Sequence, residues 1–273
     1  MPHRILVLLT WWLGWSVLAA AQKTASAPTE AAVLRQAAQL VDQRQYESAF
    51  KLLGRFDPQH RRPSVAIRQA ELALAYHLRS REYEDFGFVD LKPLERLDSL
   101  RARYPAAALR YPFRVEAVLK NLLRRYPDNY KLNRALADYY YQVEQCECAE
   151  ADKSPKELYA LMARHYGIAH ANAYGDFRSY YALGYARFNQ NRFAESVPPL
   201  QRALKLRPNY APAYFYLANS YIELKKLPQA LEAARAAARF ADTPELKYDA
   251  NFMAGELERR LAANAPKAQA RKK

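Results

Sequence analysis

Cys146-Glu-Cys148, followed by His165 and His170, is where residue types and spacing could do chemistry. Thiolates and imidazoles are zinc and copper ligands, and two of each complete a tetrahedral set. The spacing speaks against a metal. A C-x-C pair lacks the separation of two to four residues found in structural zinc sites, and His165 and His170, five apart, diverge by roughly 500° around a helix. Cys146 and Cys148 are read instead as part of a structural loop with no chemical role or, in an oxidising compartment, as a disulfide with each other or with a partner protein. A metal- or redox-linked accessory role built on these cysteines is the alternative function. The chain carries no P-loop, G-x-S-x-G, H-E-x-x-H or glycine-rich phosphate turn. No catalytic residue, cofactor or metal is therefore expected, and the chain is not expected to be an enzyme.

Helices must position these side chains. With Gly 7 in 273 residues there is little material for the tight turns of a many-stranded sheet. Ala, Leu, Arg, Lys and Glu supply helix formers throughout, so the composition points to an all-α fold. Apolar residues make up 51% of the chain, enough for a substantial core. The formal charge of +14 favours anionic partners or surfaces.

The C-terminal half repeats. Tyr180-x2-Leu183-Gly184 is matched by Tyr214-x2-Leu217-Ala218 at an offset of 34, and in the same register Phe193 matches Leu227, Ser196 matches Ala230, Leu200 matches Ala234 and Ala203 matches Ala237. Asn191-Arg192 and Lys225-Lys226 fall at the turn within each unit, and Pro208 and Pro244 near the end. This resembles the tetratricopeptide repeat, with its W-x2-L-G-x2-Y, A-x3-F and P pattern. Arg187 stands where the family prefers tyrosine, and Pro198-Pro199 sits early in a second helix, where a delay or kink is expected. The resemblance implies a right-handed superhelical solenoid of antiparallel helix pairs, non-catalytic, holding a segment of another protein. It also implies groove-facing positions: Arg178, Tyr181, Tyr185 and Phe188 in one unit, and Pro212, Phe215, Asn219 and Ile222 in the next. Several of these side chains, Phe188 and Ile222 above all, are alternatively read as packing between helices.

The organisation expected along the chain follows. Residues 1–21, basic at the start, apolar from Ile5 to Leu18 and ending in Ala19-Ala-Ala21, read as a signal peptide cleaved after Ala21, with an uncleaved membrane anchor as the alternative. A linker occupies 22–29. Residues 30–129 hold degenerate or elongated repeats, with helical periodicity from Leu72 through Leu94, Leu97 and Leu100 to Leu119; 130–176 form a repeat with an insertion at Gln145 to Ser154. Repeats fill 177–210 and 211–244, a capping helix 245–263, and a basic disordered tail 264–273. Arg101, Arg103, Arg110, Arg114, Lys120, Arg124 and Arg125 form a basic cluster, read as the solvated face of elongated helices or as contact with an anionic surface. The partner expected is another envelope or secreted protein, in the periplasm or outside the cell, with no nucleic acid and no small-molecule substrate.

Overall fold

A computed structural model describes residues 27–103, 110–146 and 153–270, with side chains described up to residue 263. Helix pairs follow one another along it: α1 (Glu30–Asp42) with α2 (Tyr46–Phe56), α6 (Tyr130–Gln145) with α7 (Pro155–Ala171), α8 (Phe177–Asn189) with α9 (Phe193–Leu206), and α10 (Ala211–Glu223) with α11 (Leu227–Phe240). A last helix, α12 (Pro244–Ala270), packs on α11. Each second helix also contacts the first helix of the next pair, so the apolar face that one hairpin leaves open is covered by its neighbour. The all-α repeat solenoid is the fold, and none of its described helices is long and apolar enough to cross a membrane.

Two recurring turns set the frame. Within a pair, Arg44, Asn191 and Lys225 each take positive φ (61°, 59° and 58°). At all three, the amide of that residue bonds the carbonyl three back and the next amide bonds the carbonyl five back, closing the helix C-terminus. Between pairs, Asp57, Tyr126 and Arg207 each precede a proline, which disfavours helical ψ and stops the second helix. The amides of His60, Asn129 and Tyr210 then reach back to those same three residues.

The region 64–126 departs from the expectation of continuous helical periodicity. Helices α3 (Pro63–Tyr76) and α5 (Val115–Arg125) pack on each other and on α6 as the two halves of a repeat. Between them lie α4 (Leu97–Arg101) and three short antiparallel strands in the order β1 (Arg79–Arg81), β2 (Asp85–Gly87), β3 (Tyr111–Pro112). Phe86, Phe88 and Phe113 carry this insert's own core onto Phe50 of α2. Leu94, counted as part of an apolar stripe, is 97% exposed. Strands of two or three residues are too short to show an alternation, which is why the pattern read as helical.

Two further expectations change. Helix α9 runs unbroken through Pro198 and Pro199. Helix α12 continues to Ala270 and takes in the first seven residues of the expected disordered tail; the alanines at 262, 263, 265, 268 and 270 are strong helix formers. The readings of residues 1–21 and of the end of the tail lie outside the described residues.

Close approach of helices α8 and α9 rests on Gly184. A Cβ there would lie 2.5 Å from Leu200 Cγ and 3.2 Å from the Ser196 carbonyl oxygen. Ser196 and Ser220, both fully buried, bond each other through their hydroxyls at 2.7 Å and tie α9 to α10.

Candidate functional site

The positions expected to face a groove fall into two groups in the structure. Tyr181 and Tyr185 are each only 8% exposed. Both rings, with Phe188, converge on Tyr216 of α10, at centroid distances of 6.0, 5.0 and 5.3 Å. Tyr141 of α6 meets Tyr185 from the other side at 6.2 Å. These tyrosines are a ladder joining α6, α8 and α10, packed between helices. Glu144 Oε1 accepts hydrogen bonds from Tyr185 (2.7 Å) and Tyr159 (2.8 Å). Burial, with the Glu144 bond second, pushes the Tyr185 phenol well above its usual range, so the ladder stays neutral. Burial holds Tyr216 up at about 12.

Phe215 and Ile222 form the second group. Together with Asp249, Phe252, Met253 and Glu256 of α12 they line an open cavity of about 300 Å³. Phe252 is 63% exposed at its mouth. Asn219 donates its side-chain amide to the Phe215 carbonyl, 3.0 Å away on its own helix. Arg178 lies exposed at the other end of the row, its guanidinium over Phe177 at 5.6 Å. Adding the repeat length of 34 to positions 215, 219 and 222 gives Asp249, Met253 and Glu256, so the frame carried one helix further would have found the α12 wall. Tyr141, Glu144 and Tyr216 had no comparable signal, because their roles depend on which helices become neighbours.

Among the described residues, Cys146, His165 and His170 are not brought together as a ligand set. Cys146, at the end of α6, is disulfide-bonded; the chain's other cysteine, Cys148, lies outside the described residues. His165 Nδ1 donates to Asn133 Oδ1 at 2.7 Å in the core between α7 and α6. His170 bonds Ser179 Oγ at 3.0 Å and stacks on Tyr180 at 3.9 Å. Burial, then the charges of Arg164 and Lys120, pull His165 down to about 4; burial and Arg134 do the same to His170. Both are neutral at pH 7, His165 in the core and His170 half-buried. Among the described residues no group of three or more His, Cys, Asp or Glu could hold a metal ion.

A charged network locks α6, α7 and α8. Arg134 Nε lies 2.9 and 2.8 Å from the two carboxylate oxygens of Asp138, and its Nη2 3.2 Å from both oxygens of Asp176. Tyr166 donates to Asp138 at 2.8 Å. Asp176 also caps α8 by accepting from the Ser179 amide at 2.9 Å. Burial works against its ionisation, but the Ser179 amide and Arg134 outweigh it, so its carboxyl sits below the usual range.

Residues 200–232, from α9 into α11, match the family model described as tetratricopeptide repeat. No curated protein matches the chain. Among solved structures, MamA of AMB-1 is similar at 20% identity over 76% of this chain and 96% of that one, with a TM-score of 0.48. The crystal structure of TTC0263, a thermophilic TPR protein of Thermus thermophilus, is similar at 16% identity over 82% and 98%, with a TM-score of 0.46.

Proposed function

We propose that this chain, a tetratricopeptide-repeat protein, is a non-catalytic scaffold of the bacterial cell envelope that holds a segment of a partner protein against its first helices. The observation that carries this reading is the apolar cavity between α10 and α12. Phe215, Ile222 and Met253 form its floor and wall, while Phe252 stands exposed at its mouth. Aromatic and aliphatic side chains on rigid helices are suited to anchoring one or two partner residues at low entropic cost. Tyr181 and Tyr185 serve instead as the internal ladder that fixes the spacing of that surface.

The envelope setting rests on residues 1–21, whose basic start, apolar run and small-residue end fit an exported chain cleaved after Ala21. N-terminal sequencing of the mature protein should begin at Gln22. For the groove, affinity capture from envelope extract compares the protein with a Phe215→Ala/Phe252→Ala variant. A protein captured by the first and lost from the second, with helicity unchanged, is the expected result. Identical capture by both would remove the cavity from the proposal.

A further inference from the structure

The basic cluster read from the sequence shrinks on inspection of its partners. Arg101 bonds the carbonyls of His77 and Ala75 and pairs with Asp98. Arg114 pairs with Glu84, and Lys120 with Glu116. Arg124 and Arg125, at the end of α5, meet no carboxylate among the described residues. Arg124 donates to the Asn121 side-chain oxygen.

These two arginines line a half-open pocket of about 400 Å³ with Asn121, Gln59 and His60. Its opposite wall is the turn between α2 and α3, and that turn is built to hold His60 in place. The Asp57 carboxylate, 5% exposed, faces inward and accepts the amides of Arg61 (3.0 Å) and Arg62 (2.8 Å), which fixes the loop. His60 sits at φ 48°. Its Nδ1 lies 3.2 Å from Oε1 of Gln69, which is 1% exposed. An amide oxygen can only accept, so Nδ1 carries the proton. Nε2 makes no hydrogen bond among the described residues. The lining polar groups are thus two guanidinium forks, an imidazole and two carboxamides, with no carboxylate.

We propose that this pocket binds a phosphate group, as a phosphomonoester or phosphodiester. Guanidinium forks match carboxylate and phosphate oxygens alike. The two guanidinium forks and the carboxamide N–H groups of Gln59 and Asn121 offer more donors than a two-oxygen carboxylate can engage, whereas a phosphate presents three or four oxygens to them. The volume leaves room for the group that carries it. The site lies on second helices and an inter-repeat turn, away from the Phe215 cavity, and stands independently of the scaffold reading.

The test titrates inorganic pyrophosphate into the purified protein at 150 mM NaCl and follows the His60 imidazole by NMR. Saturable shifts are expected, weakened at least tenfold in Arg124→Ala/Arg125→Ala and unchanged in Lys205→Ala/Lys226→Ala, which removes the same charge from exposed sites elsewhere. Co-sedimentation with phosphatidylglycerol vesicles, against phosphatidylcholine vesicles, identifies the source. Retention that depends on Arg124 and Arg125 assigns a lipid headgroup, and pyrophosphate binding without retention assigns a soluble phosphoester. Absence of saturable binding to either probe, equal loss in both charge-removal variants, or equal affinity for succinate would overturn the proposal. Unchanged far-UV circular dichroism in the variants establishes that these exposed substitutions leave the fold intact.

Discussion

Arg187 shows how one side chain repairs another's defect. Pro199 has no amide to give the Glu195 carbonyl four residues back, and in a helix that carbonyl would lose its partner. Arg187 Nη1 of the facing helix lies 3.2 Å from it. The arginine that departs from the repeat pattern and the proline that ought to disturb α9 are thus one adaptation. In a double-mutant cycle read by urea denaturation, Arg187→Met and Pro199→Ala should couple by about 1 kcal/mol, because an amide at 199 makes the arginine redundant. Additive effects would break the link. Gly184 is the second residue whose identity is forced. Alanine gains about 1 kcal/mol of helix propensity over glycine. Here its methyl would lie 2.5 Å from Cγ of the fully buried Leu200, and overpacking of that kind costs about 1–3 kcal/mol. Gly184→Ala should therefore lower the urea midpoint; an increase would mean that α8 and α9 separate freely.

At the scale of elements, the turns decide what could be read. Arg44, Asn191 and Lys225 hold left-handed backbone without being glycine. Such a conformation costs an L-residue about 1–2 kcal/mol, part of which glycine returns through its freer unfolded chain. Lys225→Gly should stabilise the protein by about 0.5–1 kcal/mol in thermal melts. Asn191→Gly should gain less, since asparagine tolerates this region best. The 34-residue frame was legible where turns followed one another without insertion, from Phe177 to Pro244. It was lost where residues 77–114 separate α3 from α5, although Pro58, Pro127 and Pro208 still mark the ends of second helices on both sides of the gap. The positions expected to face a groove divide between surface and core. Phe215 and Ile222 line a cavity, but the burial of Tyr181 and Tyr185 is decided by Tyr216 and Tyr141, two helices that the sequence around Tyr181 does not contain. His165 and His170 look like ligands by type, but their partners, Asn133, Ser179 and Tyr180, make them packing residues.

For the whole molecule, acid should be destabilising in two adjoining ranges. His165 and His170 titrate at about 4 in the fold against about 6.5 when unfolded, so between these values the unfolded chain binds more protons and stability falls as pH falls. For His165, which is 8% exposed, the loss is on the order of 3 kcal/mol at full protonation. Asp176, held below its usual range, extends the loss: its contribution is present above the unfolded carboxylate value and disappears as pH drops through the folded one. Urea midpoints measured from pH 7 to pH 4 should decline, and His165→Gln should flatten the decline between pH 6.5 and 4. An unchanged slope would mean that another group dominates. The insert between α3 and α5 bears on how the chain reaches this state. In the C-terminal pairs nearly every contact joins near neighbours in sequence, whereas Tyr111 donates to Glu47 across 64 residues and Asp90 accepts the Ser48 amide across 42. Contacts of such long range slow folding. Pulsed hydrogen exchange during refolding should protect the amides of α8 to α11 before those of α2 and α3. A ribosome delivers the same chain in the opposite order: the repeat made second waits, half built, until α5 has emerged, and during that interval the faces of α2 and α3 stand uncovered for a chaperone to hold.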